Sequence, residues 1–101
     1  MSKPAYYKVY IPTIHLKVIE TEILSKIKDG YTLISAIGNW KGETENITIF
    51  EYIRFSWNNT TDNISSNKLI ISIINKLFEL KEQAVLVFSG NEPLLFTGGK
   101  V

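Results

Sequence analysis

The sequence predicts an α+β sandwich: two helices on one face of a four-stranded antiparallel sheet, with a short extra C-terminal strand. Three observations predict it. Apolar residues recur at helical spacing in two segments, residues 16–27 and 69–80. Runs rich in β-branched and aromatic residues lie before, between and after those segments. Glycine-containing or polar stretches separate the runs and supply the turns.

The first strand is "YYKVYIPTI", residues 6–14, in which Pro12 cannot donate to a ladder and so marks an edge or the strand's end. Leu16, Ile19, Ile23 and Ile27 then form the stripe of a first helix, with Glu20, Glu22, Lys26 and Lys28 on its wet side. Acids early and lysines late suit the helix dipole, and Asp29-Gly30 ends the helix, with Gly30 suited to a left-handed C′ position. "YTLISAI" (31–37) is a second strand and "NITIFEYIRFSW" (46–57) a third, joined through the loop "GNWKGETEN". After the polar loop "NNTTDN" a second helix starts at an N-cap on Ser65 or Ser66. It buries Leu69, Ile70, Ile73, Ile74, Leu77 and Leu80. "QAVLVFS" is the fourth strand, and "PLLF" adds a short fifth after Gly90-Asn91. The order β-α-β-β-α-β is the ferredoxin-like split βαβ plan, and residues 1–101 form one such domain with loose termini at 1–4 and 97–101.

With both helices on one sheet face, the other face is bare unless a partner covers it. Tyr10, Phe50, Tyr52 and Trp57 cannot all take the covered face by alternation, so assembly of identical chains through the sheet is expected. The net charge of +1 carries no footprint for DNA or RNA binding. No apolar run approaches the roughly 20 residues of a membrane span, and the first residues lack the apolar core of a signal peptide. A cytoplasmic location is therefore expected. Absence of cysteine removes disulfides and thiolate metal sites, and a single histidine, His15, precludes a multi-histidine metal centre within one chain. No cofactor, metal ligand or catalytic residue is singled out, and binding is favoured over turnover.

The loop "GNWKGETEN" holds the residues of most interest. Gly38 and Gly42 permit positive φ or close backbone approach, and Asn39 lies between Gly38 and the tryptophan. Trp40 is a stacking surface for a base, or a plug for the core or for a neighbouring protomer. Lys41 meets a phosphate or carboxylate. Neither the Walker spacing nor the Rossmann glycine trio is present. Glu51 is in phase with Ile47, Ile49, Ile53 and Phe55, so alternation points it inward. Arg54 or a lysine then pairs with it, or a bulge resets the phase and exposes it. His15 sits at the first strand–helix junction, in a solvated or capping role.

Gly30-Tyr31-Thr32, Gly38-Asn39-Trp40-Lys41-Gly42 with Glu43 and Glu45, and Gln83-Ala84-Val85-Leu86-Val87 together resemble a group of small bacterial and phage proteins. Their shared pattern is Gly-aromatic-Thr, then G-x-W-x-G with glutamate following, then Q-x-x-V-L. The resemblance covers residues 30–87. It implies a ferredoxin-like domain similar in plan to the trimeric nitrogen-signalling and copper-tolerance proteins, which bind small ligands, often nucleotides, between subunits. This chain lacks the long mobile loop and basic phosphate cluster of the nitrogen regulators, so their ATP site does not carry over.

Usage rich in isoleucine, asparagine and lysine fits an AT-rich genome such as a phage's, which places the protein in the host cytoplasm. The expected function is a homo-oligomeric anti-defence sponge that sequesters a small anion, a cyclic or signalling nucleotide, between subunits. Trp40, Tyr6 or Tyr10 would stack on a base, Lys41 or Arg54 would meet phosphate, and Gly38, Asn39, Gly42 and His15 complete the expected site. The alternatives are a protein-interaction module that inhibits a host enzyme, and a small enzyme of the same plan.

Overall fold

A computed structural model describes residues 5–28, 30–54 and 61–99, with the side chains of Ala5, Arg54 and residues 61–67 outside that description. The chain runs β1 (Ala5–Pro12), a 3₁₀ turn (Thr13–His15), α1 (Leu16–Glu22) and a second 3₁₀ turn (Leu24–Lys26). It continues through β2 (Thr32–Trp40), β3 (Glu43–Arg54), α2 (Thr61–Glu79), β4 (Ala84–Ser89) and β5 (Glu92–Thr97). The five strands form one antiparallel sheet in the order β2-β3-β1-β4-β5. An α+β fold with two α-helices and a five-stranded antiparallel sheet is compatible with the ferredoxin-like plan.

The period-two alternation of the strands decides what is buried. Val9 of β1 faces Phe50 on one side and Val87 on the other, and Leu33 of β2 also pairs with Phe50. These residues share the helix-covered face with Ile11, Tyr52 and Val85. The Phe50 ring lies 6.0 Å from that of Tyr52 and 5.5 Å from that of Tyr31. From above, α2 contributes Ile70, Ile73, Ile74 and Leu77, while Ile19 and Leu24 come from the α1 region. Thr48, in step with Phe50, is buried too, and its hydroxyl pairs with that of Thr13 at 2.9 Å. That bond settles a polar group that burial would otherwise penalise.

Several expectations are corrected. Glu51 does not point into the core. Ile47, Ile49, Glu51 and Ile53 lie on the opposite sheet face, and the β3 register runs without a bulge past Glu51 on both sides. The first helix is shorter than its stripe. It breaks at Ile23 (φ −122°, ψ −58°), where Ser25 Oγ donates to the Thr21 carbonyl at 2.8 Å and competes with the helical ladder. α1 ends at Glu22 and the 3₁₀ turn at Lys26, so Gly30 lies beyond both and caps neither. The second helix starts at Thr61, ahead of Ser65 and Ser66. β5 is a full partner of β4, paired from Ala84↔Thr97 to Ser89↔Glu92. The expected third-strand residues Phe55, Ser56 and Trp57, and Asp29, lie outside the described residues.

Stability should follow the stripe of α2. Leu77 is fully buried whereas Ile71 is 39% exposed. Leu77→Ala should cost about 2–5 kcal/mol and Ile71→Ala less than about 1 kcal/mol in denaturant titration. Equal losses would mean that the helix is docked in another orientation.

Candidate functional site

The hairpin of β2 and β3 carries the first part of the site. The segment "GNWKGETEN" is not a loop: Gly38, Asn39 and Trp40 are the last residues of β2, and Trp40 pairs with Glu43. Only Lys41 and Gly42 make the turn, at φ 52° and 83°. Two successive positive φ values define a type I′ turn, which matches the twist of paired strands and favours Asn-Gly. Here lysine occupies the first position. Gly38 serves a different purpose: a Cβ there would lie 3.1 Å from Ile47 Cγ1, so glycine lets the isoleucine lie against β2.

A cleft opens at this end of the sheet, and strand lengths explain it. β1 stops at Pro12, opposite Ile47, while β3 extends back to Glu43 and β2 forward to Trp40. On its other side the β1–β4 ladder stops at Val9↔Val87, although β4 starts at Ala84. The sheet therefore splays between the β2–β3 arm and the β4–β5 pair. The resulting cleft has a volume of about 630 Å³, within the range of about 300–1,000 Å³ usual for small-molecule sites. Tyr10, Ile47, Leu86 and Leu95 give it an apolar wall, and Leu77 reaches it from α2.

Trp40 stands on one rim, 63% exposed, so it does not plug this chain's core. The Lys41 ammonium lies 5.8 Å from the centre of its ring. Across the cleft, the chain leaves α2 through Lys81 at φ 75°. The Lys81 amide donates to the Phe78 carbonyl at 3.0 Å and the Glu82 amide to the Leu77 carbonyl at 3.1 Å. This is a Schellman cap with lysine where glycine is usual. Lys41 and Lys81 are the two non-glycine residues with positive φ among the described residues, and both line the cleft. Left-handed backbone costs a residue with a Cβ roughly 1–2 kcal/mol. The cation–π contact and the helix dipole return part of it, about 0.5–1 kcal/mol each.

Two carboxylates, Glu45 and Glu82, also line the cleft. Glu82 accepts from His15 Nε2 at 3.1 Å, with the imidazole largely buried. His15 is thus in a supporting position beside the cleft; it holds the N-cap position of α1, but its side chain makes no capping bond and is turned to Glu82. Of the remaining expected site residues, Gly38, Asn39, Trp40, Lys41 and Tyr10 line the cleft, whereas Gly42 sits in the turn outside it. Arg54 has its side chain outside the described part of the structure. Tyr6 belongs to a separate cluster on the uncovered sheet face. Its hydroxyl donates to Glu51 Oε2 at 3.1 Å, and Lys8 Nζ lies 4.0 Å from the same oxygen and 5.7 Å from the Tyr6 ring. Lys8, rather than Arg54, is the partner of Glu51 that the structure describes.

Lys81, Glu82, Leu86 and Leu95 were not among the residues expected from sequence. The one signal for Lys81 was a missing glycine after a strongly periodic helix. Among the described residues no group of three or more His, Asp or Glu side chains is placed to hold a metal ion, and no helix is long and apolar enough to cross a membrane. Comparison with protein-family models, curated proteins and solved structures finds no match.

Among the described residues three groups have displaced proton affinities, all in one direction. Burial raises the Tyr7 phenol above its ordinary 10.0. The hydrogen bond with Tyr6 raises Lys8, and that with Glu22 raises Lys76, above 10.5. Each group therefore holds its proton more tightly folded than unfolded. The stability this contributes is complete below the unfolded values and is lost as pH rises through the folded ones. Denaturant midpoints should hold level between about pH 8 and 10 and fall above that. A midpoint that rises above pH 10 would contradict the assignment.

Proposed function

We propose that this chain is a small-ligand binding protein of ferredoxin-like plan whose ligand is a nucleotide-class anion held in the cleft between the β2–β3 hairpin and β4–β5. The plan is supported by β3 lying between β1 and β2 and β1 between β3 and β4, the arrangement that splits two βαβ units across one sheet. The observation that carries the ligand reading is the exposed Trp40 on the rim of an apolar cleft that also receives two lysines. An indole offers a base a stacking face, an ammonium answers phosphate, and Glu45 accepts from hydroxyls such as those of a sugar.

In this reading the protein sequesters its ligand without transforming it, as an anti-defence sponge for a signalling nucleotide. The sole histidine supports sequestration, because it is engaged with Glu82 and set back from the cleft lining. The working unit is a homo-oligomer. Ile34 and Ile53 are exposed on the sheet face away from the helices, on the part of that face outside the cleft lining. A second copy covering that face would remove this surface from water. The same face favours one other reading, a module that docks on a host protein. Light scattering separates the two: a particle of at least twice the chain mass supports self-assembly, and a monomer at micromolar concentration supports docking.

Trp40→Ala tests the ligand site. Loss of a stacking partner is worth about 1–3 kcal/mol, so affinity should fall by roughly one to two decades. Melting temperature and oligomer size should stay near those of the parent protein, because the indole is exposed. Calorimetric titration beside size-exclusion chromatography measures both. A fully assembled variant with undiminished affinity would remove Trp40 from the site.

A further inference from the structure

We infer that Lys41 and Lys81 form a two-point clamp, so that the cleft takes a ligand with two adjacent anionic groups, a nucleoside diphosphate or a larger polyphosphate, over a monophosphate. This rests on the reading of the cleft as a nucleotide site. The two lysines approach from separate elements: Lys41 from the tip of the β2–β3 hairpin, Lys81 from the C-terminal end of α2. Both occupy left-handed positions that glycine or asparagine would fill without strain. A type I′ turn and a Schellman cap each form better with glycine or asparagine, and the cation–π contact and the helix dipole offset only part of the cost of lysine. A strained residue retained at a cleft points to what the cleft holds.

The surrounding charges define the anion further. Glu82, adjacent to Lys81, is engaged by His15 at 3.1 Å, which leaves the Lys81 ammonium less neutralised by its neighbour. Lys41 is held near the indole at 5.8 Å, so its charge lies beside the face on which a ring would stack. Glu45 has no ion-pair partner among the described residues, and it disfavours negative charge next to the hairpin strand itself. Charge on the ligand is therefore favoured on the sides of the cleft that carry Lys41 and Lys81, away from Glu45. In this proposal one anionic group pairs with one lysine, and two adjacent groups pair with both.

The test is calorimetric titration of the intact protein with adenosine, AMP and ADP, for the parent chain and for Lys41→Asn and Lys81→Asn. Asparagine keeps the left-handed backbone, so both variants should melt at or above the parent temperature. ADP should bind about ten- to a hundredfold more tightly than AMP, the increment of one more charge-assisted contact. Each variant should lose most of that preference while its affinity for adenosine is unchanged. Equal affinities of the parent for AMP and ADP, or a preference that survives in both variants, would overturn the clamp and leave the nucleotide site standing. If none of the three compounds binds, the nucleotide reading fails and the clamp with it.

Discussion

The pairing of β1 with β3 is the constraint on which the rest of this molecule depends. Eight residue pairs, from Ala5↔Arg54 to Pro12↔Ile47, lock the two central strands in one register. Because side chains alternate, that register places Val9, Ile11, Phe50 and Tyr52 together under the helices. It commits Tyr6, Tyr10, Ile47, Ile49, Glu51 and Ile53 to the other face by the same step. A slip of one residue would exchange the two sets and place Glu51 in the core. Helices cover one face only, so the apolar residues opposite them are left for a partner or for the site.

The cleft is a second consequence of that pairing. β1 runs out at Pro12 while its neighbours continue, and its ladder with β4 has already ended at Val9↔Val87. A full-length β1 would close the sheet and leave Trp40 at the edge of a flat surface. Instead the hairpin stands as an arm on one side of a gap, the β4–β5 pair on the other, and the end of α2 closes it from behind. Pro12, which has no N–H to extend a ladder, thus ends β1 at the edge of a concave surface on which stacking and charge come together. The two strained lysines lie where this gap is bounded by turns. Those are the places in a sheet-and-helix scaffold where left-handed backbone is available.

How much of this was legible follows from which physical signals are local. The stripe of α2 was legible because Ile70, Ile73, Ile74 and Leu77 recur at the helical period, and all four are buried. The alternation of β3 was legible too, but its orientation was not. Both of its faces carry large apolar residues, so a period of two leaves open which face meets the helices. The hairpin was misread because Gly38 looked like a turn residue, and because the actual turn carries Lys-Gly in place of the Asn-Gly that announces a type I′ turn. Tyr10 and the residues from Gly38 to Lys41 were named from their chemistry alone, and they do meet in one cleft. Lys81 and Glu82 were missed. Their approach to Trp40 arises from the splay of the sheet, a non-local property that no spacing in the chain encodes.

The central claim is that the cleft at the hairpin end of the uncovered face, and not the Tyr6, Ile34 and Ile53 part of that face, receives the ligand. Amide chemical-shift mapping of the isotope-labelled protein during titration with ADP tests this most directly. The account predicts that perturbations cluster on Gly38, Asn39, Trp40, Lys81 and Gln83, which come from two chain segments that meet only around the cleft. Perturbations confined to Tyr6, Ile34 and Ile53 on the uncovered face, or a spectrum unchanged at millimolar ligand, would contradict it.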